Sequence, residues 1–283
     1  GKGRAFCAGG DVAAVEFTLN YLLATYSKPQ VSILNGIVMG GGAGASIHGR
    51  FRVATENSVF AMPETALDSF PILDGAEMLV CGLATHFVPS TRLSYLEEAL
   101  CKVDSSDFNI IQAIIDKYSQ NPTLKEKSAY YRCFGYRMDV IDKCFSRRTV
   151  EEILSALAKE ATNSADAWLT STIQALKKAS PMSLKISLKS IREGRLQGVG
   201  QCLVREYRMV CHVLKGEVSK DFREGCRAIL LDKDKNPKWE PSKLELVTNH
   251  MVEQYFSKLD DEGWEELELP ARSNLPVTAI AKL

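Results

Sequence analysis

Short apolar runs separated by glycine turns fill the first third of the chain. The run Val31-Ser32-Ile33-Leu34 is rich in strand-favouring residues and closes at Asn35-Gly36, which is typical of a strand followed by a turn. The small residues of 40–48 predict a tight turn that opens a helix, and residues 51–54 and 59–62 predict further strands. Strands that alternate with helices in this rhythm predict an α/β architecture.

From about residue 90 onward the apolar residues recur at spacings of three and four, which predicts helices. Thr149 is a predicted N-cap with Glu152 three residues later, the pattern of a capping box. A further helix is predicted over 165–178, and Ser180-Pro181 begins the next one with proline in its first turn. We therefore predict an α/β core over residues 1–90 and a mainly helical region over residues 91–283.

Length and charge exclude several classes of protein. The 283 residues are 45% apolar, which is enough to bury a sizeable core. The 35 basic and 35 acidic residues balance, so no net field gathers nucleic acid or an anionic membrane surface. No apolar run approaches the length of a membrane span. The sequence thus predicts neither a nucleic-acid partner nor a membrane partner.

The cysteines and histidines do not form the patterns of metal or redox sites. The eight cysteines include no C-x-x-C pair and have no histidine at metal-binding spacing. They are expected to be reduced, partly buried thiols of an intracellular protein. The four histidines are scattered and are interpreted as structural or surface residues: His48, His86, His212 and His250. We predict no metal and no redox cofactor.

The tripeptide Ala281-Lys282-Leu283 has the small-basic-leucine form of the S-K-L signal. It predicts localisation to the peroxisome and binding to the peroxisomal import receptor.

Two glycine turns and one glutamate are the candidate chemical groups. Gly9-Gly10 lies within Phe6-Cys7-Ala8-Gly9-Gly10-Asp11, and Gly40-Gly41-Gly42 opens a predicted helix. Each turn alone is more typical of an ordinary loop than of a ligand site. Together with Glu64, in Phe60-Ala61-Met62-Pro63-Glu64-Thr65, they supply two backbone N–H donors and a carboxylate. Stabilising a thioester-derived oxyanion beside a base requires this combination.

These motifs resemble the crotonase superfamily, and within it the chain is most similar to the 3-hydroxyisobutyryl-CoA hydrolase branch. The similarity to that branch also includes Lys28-Pro29-Gln30 with the strand and glycines that follow, Cys144-Phe145-Ser146-Arg147-Arg148, and Asp221-Phe222-Arg223-Glu224-Gly225. It extends from the first residue to about residue 260. The resemblance implies a crotonase-like ββα spiral core with a helical C-terminal portion.

The resemblance also implies roles for individual residues. Gly10 and Gly41 match the two oxyanion N–H donors, and Glu64 matches the catalytic carboxylate. Ala8 matches a residue whose backbone contacts the adenine of CoA. Glu16 matches an acid that contacts the substrate, although a solvated helix charge is an almost equally good interpretation of Glu16.

The activity implied is hydrolysis of 3-hydroxyisobutyryl-CoA in valine breakdown. The acyl-CoA is the expected partner, with coenzyme A as part of the substrate and no separate cofactor. Two routes stay open for Glu64, which either activates water or attacks the thioester to give an anhydride. A homo-oligomer is also left open.

The chain departs from the family pattern beyond Phe70-Pro71. The family continues there with an aspartate and a further segment. This chain instead continues with Ile72 into a sequence that the family normally carries after that segment. The resemblance therefore implies that an internal block is absent, and it implies similar losses between Val15 and Glu16 and before Gly1. Asp74 belongs to the sequence that follows the absent segment in the family, and it is not a replacement for the aspartate. Asp68 stands where the family prefers glycine, and its like charge could perturb Glu64.

Two alternatives follow from these departures. The first is an impaired, truncated isoform that at most binds CoA esters. The second is an enoyl-CoA hydratase or isomerase, which would normally carry a second glutamate near residue 44. Gly44 at that position counts against the hydratase interpretation.

Overall fold

The chain forms two compact units, Gly1–Met138 and Asp139–Leu283. The computed structural model describes residues 5–8, 14–61, 73–123, 138–163 and 166–272. Near residue 90 the sequence pattern changes from alternating strands and helices to helices. Two helices beyond that point still belong to the first unit.

Strands and short helices alternate in the described part of the first unit. In chain order they are β1 (Ala5–Ala8), α1 (Ala14–Ala24), β2 (Val31–Leu34), β3 (Ile37–Met39), α2 (Gly41–Ile47), β4 (Phe51–Ala54), β5 (Val59–Ala61), β6 (Leu73–Asp74), α3 (Gly75–Val80), β7 (His86–Phe87), α4 (Leu93–Cys101) and α5 (Phe108–Tyr118). The strands predicted at β2, β4 and β5 and the helix predicted after Gly40 are confirmed.

Two sheets organise this unit. The larger sheet has the strand order β1-β3-β5-β6, in which β1, β3 and β5 are parallel and β6 is antiparallel to β5. The smaller sheet has the order β2-β4-β7 and is parallel throughout. Consecutive strands β2 and β3 therefore belong to different sheets, joined at Asn35-Gly36, where Gly36 has a positive φ of 104°.

Apolar side chains from both sheets form the core of the first unit. One cluster includes Leu34, Val38, Met78 and Phe87. A second cluster packs the smaller sheet against α4 and α5, and it includes Phe51, Val53, Leu96 and Ile115. Parallel strands are commonly covered by helices in this way because both faces must leave water.

The approach of α3 to the turn after β4 requires glycine. A Cβ atom on Gly75 would lie 2.0 Å from the carbonyl oxygen of Thr55. That distance is far below van der Waals contact, so only glycine allows β6 and α3 to reach this position. The helix begins with a capping box, in which Asp74 Oδ1 accepts the N–H of Glu77 at 3.0 Å and Glu77 Oε2 accepts the N–H of Asp74 at 2.7 Å.

The described part of the second unit is helical. Its helices are α6 (Met138–Phe145), α7 (Val150–Asn163), α8 (Ala167–Lys178), α9 (Pro181–Gly194), α10 (Val199–Lys215), α11 (Asp221–Cys226) and α12 (Asn249–Gln254), and a π-helical turn over Arg227–Leu231 follows α11. None of the helices in the described ranges is long and apolar enough to cross a lipid bilayer.

Two helix starts predicted from the sequence are confirmed, whereas the helix predicted from residue 165 begins at Ala167 and residue 165 lies outside the described residues. Thr149 Oγ1 accepts the N–H of Glu152 at 3.1 Å, and Glu152 Oε2 accepts the N–H of Thr149 at 3.2 Å. Ser180 caps α9 by accepting the N–H of Ser183 at 3.0 Å, with Pro181 in the first turn. Such caps satisfy N–H groups that have no acceptor inside the helix.

Buried apolar and polar groups both hold the second unit together. One cluster joins α7 and α8 through Ile153, Leu157 and Leu169, and α9 packs with Tyr255 in another. The carboxylate of buried Asp221 accepts Ser180 Oγ–H at 2.5 Å and the N–H of Glu240 at 2.9 Å.

Arg227 holds the loop that follows the π-helical turn. Its guanidinium contacts the carboxylates of Glu224, Asp232 and Asp234 at 2.8, 2.6 and 2.8 Å. Residues 232–239, whose composition predicts a loop, begin with two carboxylates that bind the guanidinium of Arg227.

Candidate active site

Three parallel strands end side by side at one edge of the larger sheet. Ala8 of β1 pairs with Met39 of β3, and Met39 pairs on its other side with Ala61 of β5. Because the strands run in the same direction, the chain leaves all three at the same edge. Ligand sites of α/β sheets form beyond the carboxyl ends of such strands. This edge is therefore the candidate active site.

The turn after β3 leads directly into α2. Gly40 has φ 54° and ψ −129°, a backbone conformation that favours glycine. Its carbonyl oxygen accepts the N–H groups of Ala43 at 2.9 Å and Gly44 at 3.1 Å. Gly41 is the first residue of α2, so its N–H has no acceptor within the helix. The Gly41 N–H is therefore among the backbone donors at this edge that have no partner within α2, and its oxyanion role stays a prediction.

The remaining catalytic candidates follow the two neighbouring strands. Gly10 comes two residues after Ala8, and Glu64 comes three residues after Ala61. Gly10 and Glu64 lie outside the described residues, as do Asp68 and Ile72, and their roles stay predictions. Ala8 ends β1, and its predicted contact with adenine is likewise untested.

Glu16 lies in the first turn of α1 and is partly buried. Asn20, four residues later, is on the same face of the helix. The Asn20 side chain faces α2, because its Nδ2 atom would lie 3.7 Å from a Cβ atom on Gly44. Glu16 is thus half-buried on the face of α1 that meets α2, and its contact with the substrate stays a prediction.

Gly44 is the position at which a hydratase would be expected to carry glutamate. A Cβ atom there would meet Asn20 at an ordinary contact distance. The backbone therefore accommodates a side chain at this position, yet the chain has none. The site has one candidate carboxylate from the strand edge and one from α1.

Asp74 is engaged as the N-cap of α3, where its side chain accepts the N–H of Glu77. Its neighbour Leu73 pairs with Phe60 of β5, which makes β6 an antiparallel edge strand. A carboxylate committed to capping a helix is poorly suited to replace a catalytic acid. The correspondence of Asp74 to a later part of the family sequence stays a prediction.

His48 follows α2 as its C-cap residue, and burial lowers the pKa of its imidazole. Within the ranges that the structure describes, no group of three or more histidine, cysteine, aspartate or glutamate side chains could hold a metal ion. The six described cysteines are free thiols.

Sequence reasoning missed Asn20 as a residue of this region. Its only signal is the spacing of four residues from Glu16, which places both on one helical face. The contact with Gly44 is non-local and is visible only in the folded chain.

Comparisons with known proteins agree with the architecture. The family model described as enoyl-CoA hydratase/isomerase matches residues 1–71 and 72–256. The chain is 62% identical to 3-hydroxyisobutyryl-CoA hydrolase 1 of Arabidopsis thaliana, with 100% of this chain and 84% of the relative covered. It is 58% identical to probable 3-hydroxyisobutyryl-CoA hydrolase 3 of the same plant, with coverages of 99% and 84%.

A solved structure shares the fold. The crystal structure of a carnitinyl-CoA dehydratase from Mycobacterium thermoresistibile superposes with a TM-score of 0.74 at 30% sequence identity. The match covers 96% of this chain and 84% of the dehydratase. The family match and the shared fold, with three parallel strands that end at one sheet edge, place the chain in the crotonase class of acyl-CoA proteins.

Within that class, the chain belongs to the 3-hydroxyisobutyryl-CoA hydrolase family. The predicted family and the predicted α/β crotonase fold are both confirmed.

The comparisons also concern the internal block that the resemblance implies is absent after Pro71. The alignment with the Arabidopsis hydrolase spans 325 positions, whereas this chain has 283 residues, so at least 42 aligned positions have no residue here. The two stretches of the family match meet between Pro71 and Ile72. That junction is where the sequence predicts the absent block.

Proposed function

We propose that the chain hydrolyses the thioester of 3-hydroxyisobutyryl-CoA to 3-hydroxyisobutyrate and CoA. The observation that carries the proposal is the pairing of Ala8, Met39 and Ala61, which ends three parallel strands at one sheet edge, with the Gly40-Gly41-Gly42 turn directly after the middle strand. Family membership supports the choice of substrate, because relatives that are 58–62% identical are hydrolases of this thioester by name.

The two glycine turns are proposed to stabilise the negative charge that forms on the thioester carbonyl oxygen. In the proposed arrangement the thioester carbonyl oxygen lies between the N–H groups of Gly10 and Gly41. Attack on the carbonyl carbon places negative charge on that oxygen, and preorganised N–H donors stabilise it most strongly in the transition state. Gly41 suits this role because its N–H has no acceptor in α2.

Glu64 is the proposed catalytic carboxylate, through either of two routes. It can accept a proton from water as the water attacks, or it can attack the carbonyl carbon itself and expel CoA thiolate. The second route forms an anhydride that water then opens. Hydroxylamine intercepts an anhydride and leaves a hydroxamate on Glu64, so the mass of the Glu64 peptide after turnover distinguishes the routes.

Substrate binding is assigned to the neighbouring elements. The backbone of Ala8 is proposed to contact the adenine of CoA, and Glu16 is proposed to contact the acyl group. The partial burial of Glu16 on the face of α1 that meets α2 supports this assignment.

The test is release of CoA thiol from 3-hydroxyisobutyryl-CoA, followed with a thiol reagent. Glu64→Ala serves as the control for enzyme-dependent release. Saturable release by the chain, lost in Glu64→Ala, supports the proposal. Hydration of an enoyl-CoA without thiol release would instead identify a hydratase, and the empty side-chain position at Gly44 argues against that outcome.

A second candidate function is binding of CoA esters without efficient turnover. It is favoured by the aligned positions that have no residue in this chain and by the use of Asp74 as a helix cap. Loss of a general acid would lower the rate by roughly 10²- to 10⁴-fold. Saturable binding of 3-hydroxyisobutyryl-CoA with thiol release no faster than for Glu64→Ala would establish this function.

Two broader assignments complete the proposal. The reaction is assigned to valine breakdown, and the protein is assigned to the peroxisome through Ala281-Lys282-Leu283. These three residues lie outside the described part of the chain. A fluorescent protein fused ahead of the chain should co-localise with a peroxisomal marker and become diffuse when Leu283 is removed.

A further inference from the structure

The space between α1 and α2 is open at Gly44, the position where a hydratase would carry its second glutamate. Among the described residues, the atom that a Cβ on Gly44 would meet within 4 Å is the Asn20 amide nitrogen Nδ2, at an ordinary contact distance of 3.7 Å. Gly44 lies inside a helix and has no positive φ, so neither close packing nor backbone conformation requires glycine there. The missing side chain leaves room beside Asn20.

The Asn20 side chain is available to a ligand in this space. The residue is half-buried on α1. Among the hydrogen bonds of the described residues, none engages its side-chain amide. The amide carries an NH₂ donor group and an acceptor oxygen, and polar groups that are withdrawn from water usually have a partner.

The open space is one helical turn from the Gly41 N–H. Gly41 and Gly44 are three residues apart in α2, so they lie on the same face of the helix, about 5 to 6 Å from each other. An acyl group whose carbonyl oxygen accepts the Gly41 N–H can therefore extend along α2 toward Asn20. The 3-hydroxyl of such a group is close enough to its carbonyl for both oxygens to be bound within this span.

Glu16 complements Asn20 on the same face of α1. It precedes Asn20 by one helical turn and is also half-buried. A hydroxyl group both donates and accepts hydrogen bonds, whereas an ionised carboxylate only accepts them. Glu16 as acceptor and Asn20 Nδ2 as donor are together complementary to one hydroxyl group.

From these relationships we propose that Asn20 is a specificity-determining residue, which donates a hydrogen bond from Nδ2 to the 3-hydroxyl of the acyl group. The inference rests on the proposed function, because it takes the thioester carbonyl to be bound at the Gly41 N–H. Gly44 keeps the position beside Asn20 free for the acyl chain. An acyl group without the hydroxyl covers the Asn20 amide without replacing its hydrogen bonds to water, and it is therefore bound less tightly.

Binding of two thioesters to the full chain carrying Glu64→Ala tests the inference, because this variant is not expected to consume them. 3-Hydroxyisobutyryl-CoA should bind at least about tenfold more tightly than isobutyryl-CoA, which lacks only the hydroxyl. Adding Asn20→Ala should reduce this ratio to less than about threefold, mainly by weakening binding of the hydroxylated thioester. Adding Asn109→Ala, at an exposed position of α5, should leave the ratio unchanged. Calorimetry measures both affinities.

A second substitution, Asn20→Leu, keeps the size of the side chain and removes its hydrogen-bonding groups. It should act as Asn20→Ala does, and it replaces that variant if circular dichroism and thermal unfolding show that Asn20→Ala is not folded. Equal affinity for the two thioesters when Asn20 is present, no saturable binding of either one, or a preference that survives the substitutions overturns the inference.

Thiol release by the unaltered chain separates this inference from the proposed function. If the unaltered chain releases no thiol from 3-hydroxyisobutyryl-CoA while the Glu64→Ala chain binds it with the expected preference, the proposed hydrolysis fails and the role of Asn20 is supported. If thiol release is observed and the preference does not depend on Asn20, the hydrolysis is supported and the role of Asn20 is refuted.

Discussion

Met39 of β3 and Ala61 of β5 are partners in parallel register, and this pairing relates the two halves of the candidate active site. The chain after Met39 enters the glycine turn that presents the Gly41 N–H, and the chain after Ala61 leads to Glu64. A shift of one residue in this register would move one segment relative to the other by about 3.3 Å. Catalytic groups tolerate displacements of that size poorly.

Replacement of Glu64 is expected to remove most thioesterase activity. Glu64→Gln keeps the size of the side chain but removes both its basicity and its nucleophilicity, so kcat/KM should fall by about 10² to 10⁴. Thiol release from 3-hydroxyisobutyryl-CoA measures the effect. Glu98→Gln is the matched control, because Glu98 is an exposed partner of Lys102 on α4. A decrease of less than about threefold for Glu64→Gln would show that Glu64 is not the catalytic carboxylate.

Gly40→Ala should reduce both stability and activity. The backbone at φ 54° and ψ −129° strains any residue with a Cβ atom, at a cost of about 1 to 3 kcal/mol. Relief of that strain would move the Gly41 N–H and lower kcat with little change in KM. Urea unfolding and thiol release are the two measurements.

Gly82→Ala provides the comparison for Gly40→Ala. Gly82 also has a positive φ, 74°, but a Cβ atom there meets nothing within 4 Å. It should lose about 1 kcal/mol of stability with kcat unchanged. Equal loss of kcat in the two variants would contradict a specific role for the turn after β3.

Gly75→Ala should severely destabilise the first unit, because the new methyl group would lie 2.0 Å from the Thr55 carbonyl oxygen. We expect a loss of about 3 kcal/mol or more in the free energy of unfolding. Gly44→Ala makes only an ordinary contact and lies within α2, so it should be neutral or stabilising by up to about 1 kcal/mol. Similar unfolding midpoints for the two variants would be inconsistent with the close approach of α3 to Thr55.

The pair of Arg208 and Glu266 should make stability depend on acidic pH. Hydrogen bonding from Arg208 lowers the pKa of Glu266 from 4.5 to about 2. Because the folded-state pKa is depressed, the contribution is present above the unfolded value near 4.5 and is lost as pH falls toward about 2. The difference in Tm between the unaltered chain and Glu266→Gln should therefore shrink across this window.

Glu268→Gln is the control for this pH dependence, since Glu268 is exposed and forms no ion pair within the described residues. Its Tm should follow that of the unaltered chain throughout. A constant difference between the unaltered chain and Glu266→Gln over the whole window would disprove the linkage.

Local structure was predictable because it depends on neighbouring residues. The capping box of Thr149 and Glu152 and the start of α9 at Ser180-Pro181 are short-range patterns, and both are confirmed. The strand at Val31–Leu34 is equally local. The assignment of β2 and β3 to different sheets was not predictable, because apolar runs of this length do not specify their partners.

The sequence by itself determined the family, the α/β class, the helix caps and the residue types available for thioester chemistry. Tertiary structure alone decided which strand ends meet, through the register of Ala8, Met39 and Ala61. It also decided that Asn20 faces Gly44 and that the Asp221 carboxylate is buried beside the Ser180 hydroxyl. The reason is physical: caps and helical faces arise from residues a few positions apart, whereas registers, close approaches and buried charges arise from packing between distant segments.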